Sequence, residues 1–258
     1  MAAELVVTPG ISFYLDWKFW SFAVSLSAFA ISILPHLKQF KRARIDCEVY
    51  QKIHVSHKVG NPNAQMHIIL TNAGGRRIRL KALSLTFKRA GETEFSLIGG
   101  TYQNFPTDKD SLLLTPLSLK PGDEWARTVN FYAEYSQHDQ RLYKAIENTL
   151  RKDVNAKLAA LPNEPSPDVP PVVGDAENVA PFMDFYNRKF KWFAGEYEVT
   201  LSVIADIANV MAPKRMRTTI FESDSSDMEE FKENYATGRG LWWGPAEPGV
   251  VLELVDKP

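Results

Sequence analysis

The chain has 258 residues, with 30 Lys and Arg against 31 Asp and Glu, a formal net charge of −1 and 45% hydrophobic content. That balance lacks the basic excess that phosphate binding requires, so nucleic acid is not expected as a partner. A single cysteine, Cys47, rules out an internal disulfide and suits a reducing compartment.

Residues 19–37 contain no fully charged side chain. At about 1.5 Å per residue they reach roughly 28 Å, close to the ~30 Å hydrocarbon core of a bilayer, and are expected to form one transmembrane helix. Tyr14, Trp17 and Trp20 mark its N-terminal edge as an interfacial aromatic belt, and Pro35 falls near its far end. Lys38, Lys41, Arg42 and Arg44 follow, whereas the other side offers Glu4, Asp16 and only Lys18. The positive-inside rule then leaves residues 1–18 as a short extracytoplasmic N-terminus and places the C-terminal region in the cytoplasm, a single-pass arrangement in the inner (plasma) membrane with lipid as a partner. A cleaved signal peptide fits less well, because the apolar run continues past Ala28-Phe29-Ala30. A buried core helix fits less well too, since only scattered serines interrupt the apolar character. Ser21, Ser25, Ala28 and Ser32 are spaced 4, 3, 4 and form a small-residue stripe that would serve self-association or a partner helix, or is simply tolerated in a single span.

The basic segment 38–42 leads into a domain expected over 43–258. Ile45, Cys47, Val49, Ile53 and Val55 share one parity, the signature of a half-buried strand with Cys47 as a core residue rather than an acylation site. A turn is expected at 60–63, a strand at 64–71 and a turn at 72–75. The strand over 77–88 carries a parity switch, Ile78, Leu80 and Ala82 against Leu83, Leu85 and Phe87, which predicts a β-bulge near Lys81. A strand over 93–98 is expected to end at Gly99-Gly100, with pairing again at 112–114. Leu119-Lys120-Pro121-Gly122-Asp123 signals a turn before a strand over 124–134.

Leu142, Ile146, Leu150, Val154, Leu158 and Leu161 recur at helical spacing, so an amphipathic helix runs from an N-cap at Ser136 to Pro162. Prolines crowd 162–181 as a linker or surface loop, and a second helix is expected over 180–193. Strands return at 197–205 and 214–222. Ser226 and Glu229 resemble a capping box that opens a helix to about Tyr235, a glycine-rich loop follows, and a last strand falls at 250–255.

Seven strands punctuated by turns suggest a β-sandwich. Ala194-Gly195-Glu196-Tyr197-Glu198-Val199 is similar to the tyrosine corner of immunoglobulin-type domains, with Val199 where the inward Cys would stand. Leu70-Thr71-Asn72-Ala73-Gly74 and 119–123 resemble sandwich turns. The layout resembles bacterial single-pass membrane proteins with an immunoglobulin-like domain. That resemblance implies a mainly β fold with helical additions: a transmembrane helix, then an immunoglobulin-like sandwich with a helical insertion at 136–195 and a C-terminal helix and loop at 224–258.

Chemistry is sparse. His54 and His57 fall on opposite faces of a strand, and no Cys or carboxylate joins them and His67 at ligand spacing. Asp224, Asp227, Glu229 and Glu230 read as a solvated helix start. Gly238-Arg239-Gly240 and Gly74-Gly75 lack phosphate-loop spacing, and no nucleophile elbow, kinase set or Cys-His pair is present. No cofactor and no catalytic activity are expected. Trp242 and Trp243, in a glycine-rich loop, either anchor a protein partner or plug the end of the sandwich. Phe182, Phe185, Tyr186, Phe190 and Phe193, bordered by Arg188, Lys189 and Lys191, form an aromatic stripe that covers the sheet or lies on the inner leaflet. The expected role is a membrane-anchored scaffold, recruitment or regulatory module; an oligomeric membrane complex or pore, and an enzyme with an unrecognised site, are the alternatives.

Overall fold

A computed structural model describes residues 17–37, 42–105, 108, 110–161, 172–243 and 249–257. Lys38, Lys41 and the proline-rich stretch 162–171 lie outside them. The fold is mainly β. Strands β1 (Ile45–Lys58), β2 (Asn61–Asn72), β3 (Ile78–Arg89), β4 (Phe95–Gln103), β5 (Leu112–Leu113), β6 (Leu117–Leu119), β7 (Glu124–Tyr132), β8 (Gly195–Ala205), β9 (Lys214–Ile220), β10 (Val250–Glu253) and β11 (Val255–Asp256) form one large antiparallel sheet. The helices are α1 (Trp17–Leu37), α2 (Gln137–Ala159), α3 (Ala176–Lys189) and α4 (Glu222–Glu230), with a 3-10 helix over Phe231–Thr237.

The sheet order is β10-β1-β2-β7-β4-β3-β8-β9-β11, with β5 on β4 and β6 on β3. The C-terminal segment stands at both ends of that order. β10 pairs with β1, and β11 pairs with β9. The single last strand expected over 250–255 is therefore split at Leu254, which is buried and whose N–H donates to the Gln51 carbonyl at 2.8 Å. One short segment thus links both outer strands and protects edges that would otherwise invite association. β4 also changes partner midway: Phe95–Ile98 pairs with β3, and Ile98–Gln103 with β7. The sheet turns here around one core that includes Ile53, Ile68, Leu85, Phe87, Val129, Val199 and Met216.

Gly99 and Gly100 do not end β4 but lie inside it, at a register shift between Gly99 and Thr101. A Cβ on Gly99 would stand 3.0 Å from Leu114, and one on Gly100 3.2 Å from the Tyr132 ring, so close approach of neighbours explains the pair. The parity switch in β3 is a shift between Leu80 and Ala82, at the expected bulge. The first hairpin turns on Val59 and Gly60 alone, at φ 50° and 79°. Asn61, Pro62 and Asn63, expected in the turn, belong to β2.

At about 3.3 Å per residue, β1 carries the chain roughly 40 Å from Ile45 to Lys58, so the barrel-like sheet has two distinct ends. α2, α3, α4 and the 3-10 helix cap the Lys58 end. Trp192 Nε1 donates to the Ser56 carbonyl at 2.6 Å, and the Tyr135 hydroxyl to the Lys58 carbonyl at 3.2 Å. Ser136 caps α2 as expected, accepting from the Asp139 N–H at 3.0 Å. Leu158 and Leu161, counted with the apolar face, are exposed. α3 begins at Ala176 rather than 180 and ends at Lys189, so Pro181 lies within it and Phe190 caps it. Phe182, Phe185, Tyr186 and Phe190 are buried in the core. The inner-leaflet reading of this stripe is therefore set aside: the stripe covers the end of the sheet. Its last member, Phe193, is 39% exposed under the Arg89 guanidinium. α4 opens at Glu222, before the expected box, and Asp224 rather than Ser226 closes its start by accepting from the Phe221 N–H at 3.2 Å.

α1 covers the expected apolar stretch. Among the described residues, no helix is long and apolar enough to cross a membrane.

Candidate functional site

Three places compete for a functional role, and the first is α1. Trp17, Trp20, Phe22, Val24, Leu26, Phe29 and Ile31 are all exposed, with Trp17 at 72% and Ile31 at 68%. At 3.6 residues per turn, Leu26 and Phe29 lie on one side and Val24 and Ile31 on the opposite side, so the apolar surface is not confined to one face. The Ser21 hydroxyl donates to the Trp17 carbonyl at 3.1 Å, and that of Ser27 to the Ala23 carbonyl at 2.8 Å. Both polar groups are thereby satisfied within the helix. Ser21, Ser25, Ala28 and Ser32 are exposed along one stripe.

The second place is the loop after the 3-10 helix. Trp242 is half-buried. Its ring lies so close to Gly238 that a Cβ there would clash, and the Arg151 guanidinium stands 5.2 Å from its centre. Gly238 and Gly240 both take φ 78°, which glycine supplies without strain. Trp243 is 50% exposed, and its Nε1 donates to the Thr237 carbonyl at 2.8 Å. Trp242 thus packs onto the helical cap, while Trp243 presents an aromatic surface to solvent.

The third is a shallow groove of about 400 Å³ on the outer side of the sheet, lined by Tyr50, Lys52, His54, Gln65, Met66, His67, Thr128 and Val251. No sequence pattern marks it, because it gathers residues from four strands, β1, β2, β7 and β10. Gln65 Nε2 donates to Asn130 Oδ1 at 2.8 Å, and Asn130 Nδ2 to Thr101 Oγ1 at 2.9 Å, so the polar groups here form a chain of hydrogen bonds across the sheet. His67 Nδ1 lies 3.2 Å from Thr128 Oγ1. The His54 ring fits under Gly249, where a Cβ would clash, and burial lowers its pKa. His57 is on the opposite, inner side and also has its pKa lowered by burial, partly offset by its bond to the Met228 carbonyl. Among the described residues no group of three His, Cys, Asp or Glu is placed to hold a metal ion. Cys47 is half-buried, and burial pushes its thiol up to about 11, so it is a poor nucleophile at neutral pH.

No family model, no curated protein and no solved structure matches the chain.

Arg42 and Arg44 are exposed where the chain enters β1, and Arg44 pairs with Asp46 at 2.8 Å. The turn after β2 packs on them: the Gly74 N–H donates to the Arg44 carbonyl at 3.1 Å. Asn72, buried at 1% exposure, holds that turn. Its Nδ2 donates to the carbonyls of Arg76 at 2.8 Å and Leu119 at 2.9 Å, and its Oδ1 accepts from the Gly74 N–H at 3.0 Å.

Proposed function

We propose that the protein is a membrane-anchored interaction module without catalytic activity of its own. Residues 19–37 cross the inner (plasma) membrane once, and the domain from residue 43 lies in the cytoplasm. The observation that carries this reading is the apolar surface exposed on opposite sides of α1. A helix lying on a surface needs one polar side, whereas a helix surrounded by lipid does not. The support for length and direction comes from the sequence rather than from the described helix: the uncharged run 19–37 is about as long as a bilayer core is thick, and basic residues follow it. We further read the domain as immunoglobulin-like. In its support, β1-β2-β7-β4 and β3-β8-β9 follow the strand order of that fold, and the Tyr197 hydroxyl bonds back to the Lys191 and Phe193 carbonyls at 2.9 Å. The partner surface is Trp243 with the adjoining helical cap, since a rigid exposed tryptophan supplies contact area at little entropic cost.

Membrane fractionation with alkaline carbonate washing, together with a reporter after Pro258, tests the anchor. Retention in the membrane and activity on the cytoplasmic side are expected; release into the wash or activity only outside overturns the reading.

The exposed stripe Ser21, Ser25, Ala28 and Ser32 favours a second reading, assembly through the helix as an oligomer or pore subunit. Replacing Ser25 and Ala28 with Leu then breaks cross-linked oligomers in detergent, and an unchanged cross-linking pattern removes the idea.

A further inference from the structure

We infer that the end of the domain from which the anchor departs is itself a docking face for the anionic headgroups of the membrane. This rests on the anchoring proposed above. The chain reaches Arg42 five residues after Leu37, so at most about 18 Å separates the helix end from the domain. The Arg42 end of the barrel must therefore face the bilayer surface, while the helical cap lies at the far end of β1.

The chemistry of the near end fits that position. Arg42, Arg76, Arg77, Arg79 and Lys120 are all exposed there. Among the described residues none of the five enters an ion pair. Of the neighbouring carboxylates, Asp46 is paired with Arg44, while Asp123 accepts from the Lys120 N–H at 2.7 Å and Asp206 from the Arg79 N–H at 2.9 Å and both keep their charge, so the five cations outnumber them. Glu124 is also exposed nearby. The face is fixed rather than fluctuating, because Asn72 pins the turn that carries Arg76 and Arg77. A Cβ on Gly74 would stand 2.6 Å from the Arg44 nitrogen, so this turn and the chain from the anchor are in direct contact. Five exposed cations without an ion-pair partner thus stand on the end that chain length holds against the leaflet. Guanidinium groups bind phosphate oxygens in pairs of parallel hydrogen bonds, and a basic surface beside a membrane span is drawn to anionic lipid. The contact fixes the domain's orientation and keeps the Trp243 loop turned toward the cytoplasm.

The test uses the full chain in nanodiscs of phosphatidylcholine alone, or with one lipid in three replaced by phosphatidylglycerol, followed by amide hydrogen exchange. Exchange over 73–79 is expected to slow several-fold in the anionic discs. High salt, or the combined substitution Arg76→Glu, Arg77→Glu and Arg79→Glu, should abolish the difference. Unchanged exchange in β2 and β7 shows that the variant is folded; if it is not, the milder Arg76→Gln with Arg77→Gln takes its place. Equal exchange in the two discs overturns the inference while leaving the anchor intact. Equal slowing by inorganic phosphate added to phosphatidylcholine discs also overturns it, pointing to a small-anion site. A chain that stays in the aqueous fraction overturns the anchor and the docking face together.

Discussion

His57 Nε2 lies 2.9 Å from the carbonyl oxygen of Met228, and this bond ties the first hairpin to α4. The other ring nitrogen, Nδ1, accepts from the Gly60 N–H at 3.3 Å, so the ring is neutral with its proton on Nε2. Tyr186 and Phe190 pack edge-on against it at 5.4 and 5.5 Å. Burial lowers its pKa in the folded protein, so the unfolded chain binds the proton more readily. The sign follows: this contribution is complete above the unfolded value of about 6.5 and is lost as pH falls through it toward the lower folded value. Denaturant titrations from pH 7.5 to 5 should show falling stability. His54, also lowered by burial, contributes in the same window. His57→Gln should be less stable at pH 7 by about 1–3 kcal/mol and show a smaller decline toward pH 5. An undiminished decline removes His57 from the account.

The Tyr197 hydroxyl serves two carbonyls, Lys191 and Phe193, at 2.9 Å each, and burial pushes its pKa up to about 12. It fastens the segment from α3 onto the start of β8. Tyr197→Phe keeps the buried ring and deletes only the oxygen. We expect a loss of about 1–3 kcal/mol in chemical denaturation with an unchanged m-value. A loss below about 0.5 kcal/mol would show that water replaces the hydroxyl at no cost.

These bonds also mark what could be read from sequence. The burial of Tyr197 was legible because period-two alternation puts it on the same face as Val199 and Leu201. The bulge at Lys81 was legible because one extra residue inverts side-chain parity for the rest of a strand. Gly99-Gly100 was not: a glycine pair signals a turn equally well, and only the Tyr132 ring, brought from β7, explains it within a strand. The division of β10 from β11 escaped for the same reason, since β1 and β9 lie far away in sequence. Ser226 lost its capping role to Asp224, two residues nearer the strand. The loop tryptophans were visible as a pair, but their unequal exposure depends on Arg151 and Gly238, which no spacing rule connects.

Asn72 offers a test of the turn that carries the arginines. Its side chain satisfies three backbone groups and is 1% exposed. Asn72→Ala should cost about 2–3 kcal/mol, through orphaned carbonyls and a lost turn constraint. Asn72→Asp keeps the shape but aims an acceptor at two carbonyl oxygens, so it should cost at least as much at pH 7. Burial against two carbonyl oxygens raises the new carboxyl's pKa when folded, opposed only by the Gly74 N–H, so its deficit should shrink as pH falls toward about 4 and the acid becomes a donor. A deficit that grows on acidification, relative to Asn72→Ala, refutes this geometry.

Trp242 and Trp243 give the sharpest separation of stability from binding. The Trp242 ring fills the space over Gly238 beneath Arg151, so Trp242→Ala opens a cavity in the helical cap and should cost about 2–4 kcal/mol. Trp243 is 50% exposed and bonded through Nε1 to the Thr237 carbonyl. Trp243→Ala removes little buried surface and one exposed bond, and should stay within about 1 kcal/mol of the parent in thermal and chemical melts. Its effect belongs in partner capture: quantitative affinity purification from membranes should lose the same proteins from Trp243→Ala that Trp242→Ala loses through unfolding. Trp243→Phe should restore them in part, because a smaller ring keeps some of the contact. Unaltered capture by a folded Trp243→Ala protein removes this tryptophan from the interaction surface and leaves the outer groove around His67 as the next candidate.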